Sequence, residues 1–150
     1  MELILWRHAE AEDGSPDSGR KLTAKGKKQA EAMAAWLKHR LPRNCRIVAS
    51  PARRAQQTAQ ALTVDFETLP EIAAGASAES LLGAVGWPGT RDAILVVGHQ
   101  PTLGEVVALL LADNKESWAI KKGAVWWIAN RDRQYGSQTL LKLAISPDLL

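Results

Sequence analysis

The chain predicts an α/β fold: a three-layer α/β/α sandwich around a mixed, mostly parallel sheet. Three observations predict it. Short apolar runs rich in β-branched residues alternate with longer segments whose apolar residues recur at helical spacing, the pattern of successive βα units. Three of those runs, Leu3-Ile4-Leu5-Trp6, Arg46-Ile47-Val48-Ala49 and Ala93-Ile94-Leu95-Val96-Val97, are followed within two residues by a polar residue, the third after Gly98. The last two strand-like runs are separated only by a short polar stretch and read as an antiparallel pair.

The elements follow in order. The first strand covers 2–7, and a Gly/Ser/Pro/Asp-rich loop, 13–21, leads to a long helix from about Ala24 to Arg40 capped by Thr23. Trp36 shares a helical stripe with Ala32, Met33 and Leu37 and is expected in the core. The second strand, 46–49, enters a helix over 51–62, where Ser50 reads as the N-cap and Pro51 as the first helical residue. Residues 65–69 predict an edge strand, 70–78 a loop, 79–85 a weak helix and Gly86-Trp87-Pro88-Gly89 a turn. Strand 93–97 carries the strongest strand signal and feeds a helix over 102–112. Strands 123–129 and 138–145 close the chain around turn residues in 130–136. Trp126 and Trp127 are adjacent there and must face opposite ways. No repeat, low-complexity tract or linker interrupts the sequence, so residues 1–150 are expected to form a single domain.

In an open α/β sheet, ligands bind in the crevice beyond the carboxyl ends of the strands. Arg7 and His8 end the first strand, Arg53 and Arg54 fall in the first turn after the second, and His99 follows the third within Gly98-His99-Gln100-Pro101. Each motif alone also fits an ordinary capped helix or turn histidine. A mostly parallel sheet carries all three ends to one edge, and that convergence points to an anion site. An imidazole there offers a nitrogen nucleophile, and a guanidinium offers a planar fork for two phosphate oxygens. Successive helical residues point about 100° apart, so Arg53 and Arg54 cannot address one phosphate equally.

Leu5-Trp6-Arg7-His8-Ala9, Leu22-Thr23-Ala24-Lys25-Gly26 with Gln29-Ala30, Ser50-Pro51 with Arg54-Ala55 and Gln57-Thr58-Ala59, and Gly98-His99-Gln100-Pro101 stand in a telling order and spacing. They resemble the histidine phosphatase superfamily, the phosphoglycerate mutases and phosphatases built around an Arg-His-Gly motif. The short length and the approach Asp17-x-x-Arg20-x-Leu22-Thr23 look most like its SixA-type phosphohistidine phosphatases. The resemblance implies a phosphoglycerate mutase-like fold and a metal-independent phosphatase. It assigns His8 as the nucleophile that carries a transient phosphohistidine. Arg7 and Arg54 would hold the phosphoryl oxygens, a preferably cationic His99 would donate to them, and Arg20 would bind substrate at the rim. Arg53 is left for the surface. Ala9 stands where the motif has glycine; alanine disfavours positive φ, so a local change with intact chemistry is expected.

Many superfamily members add a carboxylic acid that protonates the leaving group. Glu71 is the nearest candidate and Glu79 stands behind it, neither in a diagnostic motif. An alkoxide needs that proton, whereas an imidazole, with a pKa of about 6.5, departs readily once protonated. A site short of an acid therefore favours P–N substrates, and the short 70–90 segment leaves little material for a lid. The expected substrate is phosphohistidine on a protein, such as a signalling domain. The alternatives are a small-molecule or phospho-Ser/Thr phosphomonoesterase using the same residues, and a non-catalytic phosphate-binding module.

Composition narrows the rest. Hydrophobic residues make up 46% and charged residues 23%, with a net charge of +3, as in soluble globular proteins. The lone Cys45 excludes an internal disulfide framework, so a reducing cytoplasm is the expected location and an inert thiol the expected role. The N-terminus begins directly with a strand and shows no basic and apolar leader, so no secretory signal is expected. No stretch approaches the roughly 18 apolar residues of a membrane span. Lys21, Lys25, Lys27 and Lys28 read as a solvated helix face rather than a nucleic-acid patch, since few aromatics interleave with them. Lys25-Gly26-Lys27 lacks the glycine-rich lead-in of a P-loop. The three histidines, His8, His39 and His99, are too dispersed to predict a metal centre, and no cofactor is expected. His39 reads as a charge at a helix C-terminus, and Trp6 and Trp87 as residues that line the cleft.

Overall fold

Leu3 and Leu5 face one side of the first strand and Ile4 and Trp6 the other, and all four are fully buried. Both faces of that strand are therefore covered, which is why its sequence is continuously apolar. The computed structural model describes residues 1–89, 92–134 and 136–150. Its strands are β1 (Glu2–Arg7), β2 (Arg46–Ala49), β3 (Glu67–Thr68), β4 (Ala93–Gly98), β5 (Val125–Arg133) and β6 (Gly136–Ile145). Its helices are α1 (Ala24–Lys38), α2 (Arg53–Leu62), α3 (Ala78–Val85) and α4 (Thr102–Ala112), with short 3₁₀ turns at Asp17–Gly19, Pro70–Ile72 and Pro147–Leu149. The sheet order is β3-β2-β4-β1-β5-β6; β3, β2, β4 and β1 run parallel, and β5 and β6 are antiparallel. The expected mixed, mostly parallel sheet is present.

Two apolar layers sandwich the sheet. On one side Leu3, Leu5, Val48, Ile94 and Val96 meet Leu81 and Val85 of α3 and Leu103, Val106 and Val107 of α4. On the other, Ile4, Trp6, Leu95 and Val97 meet Met33 and Leu37 of α1 and Ala55 and Ala59 of α2. Each large aliphatic side chain so buried contributes about 1.5–3 kcal/mol. Trp126 packs with the first layer and Trp127 with the second, the opposition their adjacency requires. Trp36 is partly buried against the second layer, with the Arg40 guanidinium 4.6 Å over its ring.

Several local expectations are corrected. Trp6 does not line a cleft: it is wholly buried, and its indole N–H donates to the Gly123 carbonyl at 3.1 Å. Trp87 packs on the α3/α4 layer ahead of the amino end of β4, away from the strands' carboxyl ends. α1 stops at Lys38, with His39 as its exposed C-cap. α2 begins at Arg53, not Pro51, and its N-cap is Ala52. The Ser50 hydroxyl instead accepts the Ala52 N–H at 3.2 Å, which tightens the turn ahead of the helix. β5 runs on through Asn130–Arg133, pairing with Gly136–Thr139 of β6. The exposed polar residues there form a hairpin rather than a loop, with Tyr135 outside the described residues. Among the described residues no helix is long and apolar enough to cross a membrane.

Thr23 caps α1 as expected, its Oγ1 accepting the Gly26 N–H at 2.9 Å. Gly26 also lets α1 approach the chain that leaves β1: a Cβ built there would lie 2.0 Å from the Glu10 carbonyl oxygen. Gly83 in α3 has nothing within 4 Å of the same point. Gly26→Ala should therefore lower stability by about 1–3 kcal/mol through overpacking. Gly83→Ala should raise it by about 0.5–1 kcal/mol through helix propensity. Denaturant midpoints of the two variants check both signs.

Candidate active site

β2, β4 and β1 are neighbours in the sheet, so their carboxyl ends form one continuous edge. The His8 N–H bonds the Gly98 carbonyl and the Ser50 N–H the Val97 carbonyl, both at 3.0 Å. This register puts Arg7, His8, Ser50 and His99 side by side, while the first turn of α2 adds Arg54. His8, Arg54 and His99 are buried, with 8%, 4% and 3% of their surface exposed. The two imidazoles stand 5.1 Å apart between ring centroids, tilted by 57°. The structure thus brings together the four residues expected from three distant parts of the sequence.

The motif residues around them hold the loops in place. Thr58 Oγ1 accepts the Ala9 N–H at 3.1 Å and donates to the Arg54 carbonyl at 2.8 Å, tying the segment after His8 to the first turn of α2. Gln29 Oε1 accepts the Glu10 N–H at 3.0 Å, and Gln57 Oε1 accepts the Leu22 N–H at 2.7 Å. Ala9 is fully buried against Leu22 and Ala30. Its φ is not positive, since Asp113 is the one non-glycine residue with positive φ among the described residues. Alanine therefore replaces the motif's glycine without backbone strain.

Hydrogen bonding fixes the state of each ring. His8 Nδ1 lies 2.8 Å from the Ala9 carbonyl oxygen, which can only accept. Nδ1 therefore carries the proton, and the lone pair sits on Nε2. His99 Nε2 lies 2.7 Å from Ser50 Oγ, which already accepts the Ala52 N–H. The hydroxyl proton has no other acceptor among the described residues, so it goes to Nε2 and the neutral His99 ring keeps its proton on Nδ1. Burial above all, then the nearby His99, Arg54 and Arg7, pushes His8 down to about 3, against the Ala9 hydrogen bond. Burial and then Arg54 push His99 down to about 4, with Asp17 opposing and Arg7 and Arg20 adding to the depression. The cationic His99 expected from sequence is thus a neutral donor in this site, because burial first and the neighbouring Arg54 second disfavour its charged form.

Arg7 Nη1 donates to the Ile120 carbonyl at 2.7 Å. Arg54 donates from Nη1 to the Asp17 carbonyl at 2.8 Å and from Nη2 to Asp17 Oδ2 at 3.0 Å. Arg20 joins from the rim, with Nη1 3.0 Å from Asp17 Oδ1 and Nε 2.7 Å from the Glu12 carbonyl. Arg7 Nε, Arg54 Nε and His99 Nδ1 are buried with no partner among the described residues. Three orphaned N–H donors in one site are an unfilled requirement, and a tetrahedral oxyanion would meet it. Sequence reasoning missed Asp17 as a partner of Arg54, and Ile120 altogether. The Asp17-x-x-Arg20 spacing was a signal for the first; a backbone carbonyl leaves none.

The remaining candidates take no part in this hydrogen-bond network among the described residues. Arg53 is exposed and lines a cavity of about 230 Å³ with Arg20 and the 12–21 loop. Glu71 is exposed on the Pro70–Ile72 turn, and its backbone carbonyl accepts from Ser80 Oγ at 2.9 Å. Glu79 lines a separate cavity with Glu105 and Lys115. Burial raises the Cys45 thiol to about 11, which keeps it unreactive. No group of three or more metal-ligating side chains forms among the described residues.

Residues 3–77 match the family model of the histidine phosphatase superfamily (branch 1), a span that includes Arg7, His8 and Arg54. The chain is 32% identical over 120 residues to the phosphohistidine phosphatase SixA of Escherichia coli (strain K12), covering 73% of this chain and 74% of that protein. It is 35% identical over 127 residues to the phosphohistidine phosphatase SixA homolog of Haemophilus influenzae, covering 73% and 77%. The structure of the protein histidine phosphatase SixA complexed with tungstate superposes with a TM-score of 0.78 at 26% identity, covering 99% of each chain. The fold is that of the phosphoglycerate mutase-like phosphatases, and the chain, a hydrolase acting on phosphate, belongs to the histidine phosphatase superfamily.

Proposed function

We propose that this chain removes the phosphoryl group from phosphohistidine on a protein, through a covalent phosphohistidine on His8. One observation carries the reading: a neutral imidazole with its Nε2 lone pair free shares a buried site with three unpartnered N–H donors. His8 Nε2 attacks phosphorus as the substrate's P–N bond breaks. The leaving imidazole keeps the bonding electron pair and departs neutral, because its other nitrogen is already protonated. Water then attacks the phosphorus of phospho-His8, its proton passing to the released phosphate and Nε2 regaining its lone pair. Arg7 and Arg54 neutralise charge on the equatorial oxygens, and His99 Nδ1–H donates to the same oxygens. Arg20 adds positive charge at the rim.

Two lines support a P–N substrate over a phosphate ester. Asp17, the carboxylate bound to Arg54, is held ionised by Arg20 and Arg54, and Glu71 is exposed on the Pro70–Ile72 turn, so neither is set up as the acid that an alkoxide leaving group would need. The curated relatives at 32% and 35% identity are a phosphohistidine phosphatase and its homolog, and a SixA structure holds tungstate, an oxyanion of the shape this cradle suits. The charge of the cradle comes from fixed guanidiniums, so turnover is expected to survive dialysis against EDTA. In steady-state assays, kcat/KM should be highest for a phosphohistidine-bearing protein, well above a phosphoserine peptide or a sugar phosphate. Equal turnover of phosphoserine, or a requirement for added Mg²⁺, would overturn the reading.

The neutral histidines also predict a pH dependence of stability. In the unfolded chain both rings titrate near the ordinary value of about 6.5, whereas in the folded chain they titrate near 3 and 4. Above pH 6.5 neither state holds those protons and stability is flat. As pH falls from 6.5 toward 4, the unfolded chain takes up protons that the native site refuses, so stability drops. The slope is at most about 1.4 kcal/mol per pH unit for each histidine. Denaturant titrations across that window should show a shallower loss in His8→Ala and in His99→Ala than in the wild type; unchanged slopes would contradict the neutral state.

A further inference from the structure

We propose that Asp17 is a positioning residue that grips both terminal nitrogens of Arg54, so that the guanidinium turns its Nε edge toward the phosphoryl group. The proposal rests on the phosphoryl-transfer reading above, but its oxyanion-binding test does not require turnover. Arg54 carries five N–H donors in a fixed plane. Asp17 takes one from Nη1 through its carbonyl and one from Nη2 through Oδ2, and Arg54 Nε is left buried and unpartnered. What remains is the side-on edge, Nε–H with a terminal N–H, which matches two oxygens of a phosphoryl group. Phosphate and Asp17 therefore bind different edges of one guanidinium and do not compete.

The segment that carries Asp17 is fixed from several directions. Ala11 and Leu22 form an antiparallel bridge at its base, the Glu12 N–H bonds the Lys21 carbonyl at 2.8 Å, and Gln57 of α2 holds Leu22. Within it, the Arg20 N–H bonds the Asp17 carbonyl at 3.2 Å, so that oxygen accepts from both Arg20 and Arg54. Hydrogen bonds from Arg20 and then Arg54 hold the Asp17 carboxyl below its ordinary range, so it stays ionised. The charge matters because Arg54 is almost wholly buried, and a buried cation without a partner is costly. Asp17 itself is 62% exposed, so its removal leaves the apolar core untouched.

The experiment compares wild type, Asp17→Ala, Asp17→Asn, Arg54→Ala and the Asp17→Ala/Arg54→Ala double variant. Tungstate affinity is measured by calorimetry, and the Arg54 Nε–H resonance is followed by NMR. Asp17→Ala should bind tungstate about tenfold more weakly, the order expected for one charge-assisted hydrogen bond, and should lose the slowly exchanging Nε–H signal while the variant remains folded at the assay temperature, with a lowered thermal midpoint. Asp17→Asn, which keeps an acceptor oxygen, should recover part of the affinity. In the Arg54→Ala background, Asp17→Ala should cost nothing further, in tungstate affinity or in phosphohistidine turnover. Wild-type affinity in Asp17→Ala, or additive losses in the double variant, would overturn the proposal. Should the wild type bind tungstate but leave phosphohistidine intact, the substrate reading fails while the affinities still decide the role of Asp17.

Discussion

Positive charge held out of water is the constraint around which this site is built. Arg54 is buried and Arg7 is partly so, and each guanidinium needs acceptors to offset its desolvation. Ile120 supplies a carbonyl to Arg7, and Asp17 supplies a carbonyl and a carboxylate to Arg54. Those acceptors come from the 12–21 loop and from the turn before β5. That turn reaches the carboxyl end of β1 only because β5 pairs antiparallel with it. The mixed sheet is therefore part of the chemistry: a wholly parallel one would send the amino end of β5 to the opposite edge.

Burial, and then the same charge, sets the state of the histidines. A third cation beside two guanidiniums in a low-dielectric pocket is strongly disfavoured, and both imidazoles stay neutral. For His8, the proposed nucleophile, this leaves the Nε2 lone pair available without a separate base, since the Ala9 carbonyl fixes the proton on Nδ1. For His99 it yields a neutral N–H donor oriented by Ser50. Charge balance and tautomer choice are thus both consistent with the proposed capture of a phosphoryl group by nitrogen.

Much of this was legible in the sequence because it rests on periodicity and on strand ends. The alternation of short apolar runs with helical segments, and the polar residues just beyond β1, β2 and β4, pointed to the three layers and to the convergence of Arg7, His8, Arg54 and His99. What escaped has physical reasons. Ser50 carries the signature of a helix cap, but its hydroxyl is engaged by Ala52 and His99, so α2 starts later. The extension of β5 through Asn130–Arg133 is polar and, from Arg131 on, exposed, and carries no alternation to detect. The neutrality of His99 depends on burial beside Arg54, which no local pattern encodes. Asp17 stood within a recognised motif, but its partner lies 37 residues away and became visible only in three dimensions.

A neutral His8 that forms a covalent bond to phosphorus is the central claim, and one measurement addresses it directly. Rapid quenching of the chain with a ³²P-labelled phosphohistidine protein, under alkaline conditions that preserve P–N bonds, followed by peptide mapping, locates the label. An acid-labile, alkali-stable label on the peptide containing His8, absent in His8→Ala and chased by unlabelled substrate, is the predicted result. Label on another residue, or full turnover with no labelled enzyme at any quench time, would contradict the account.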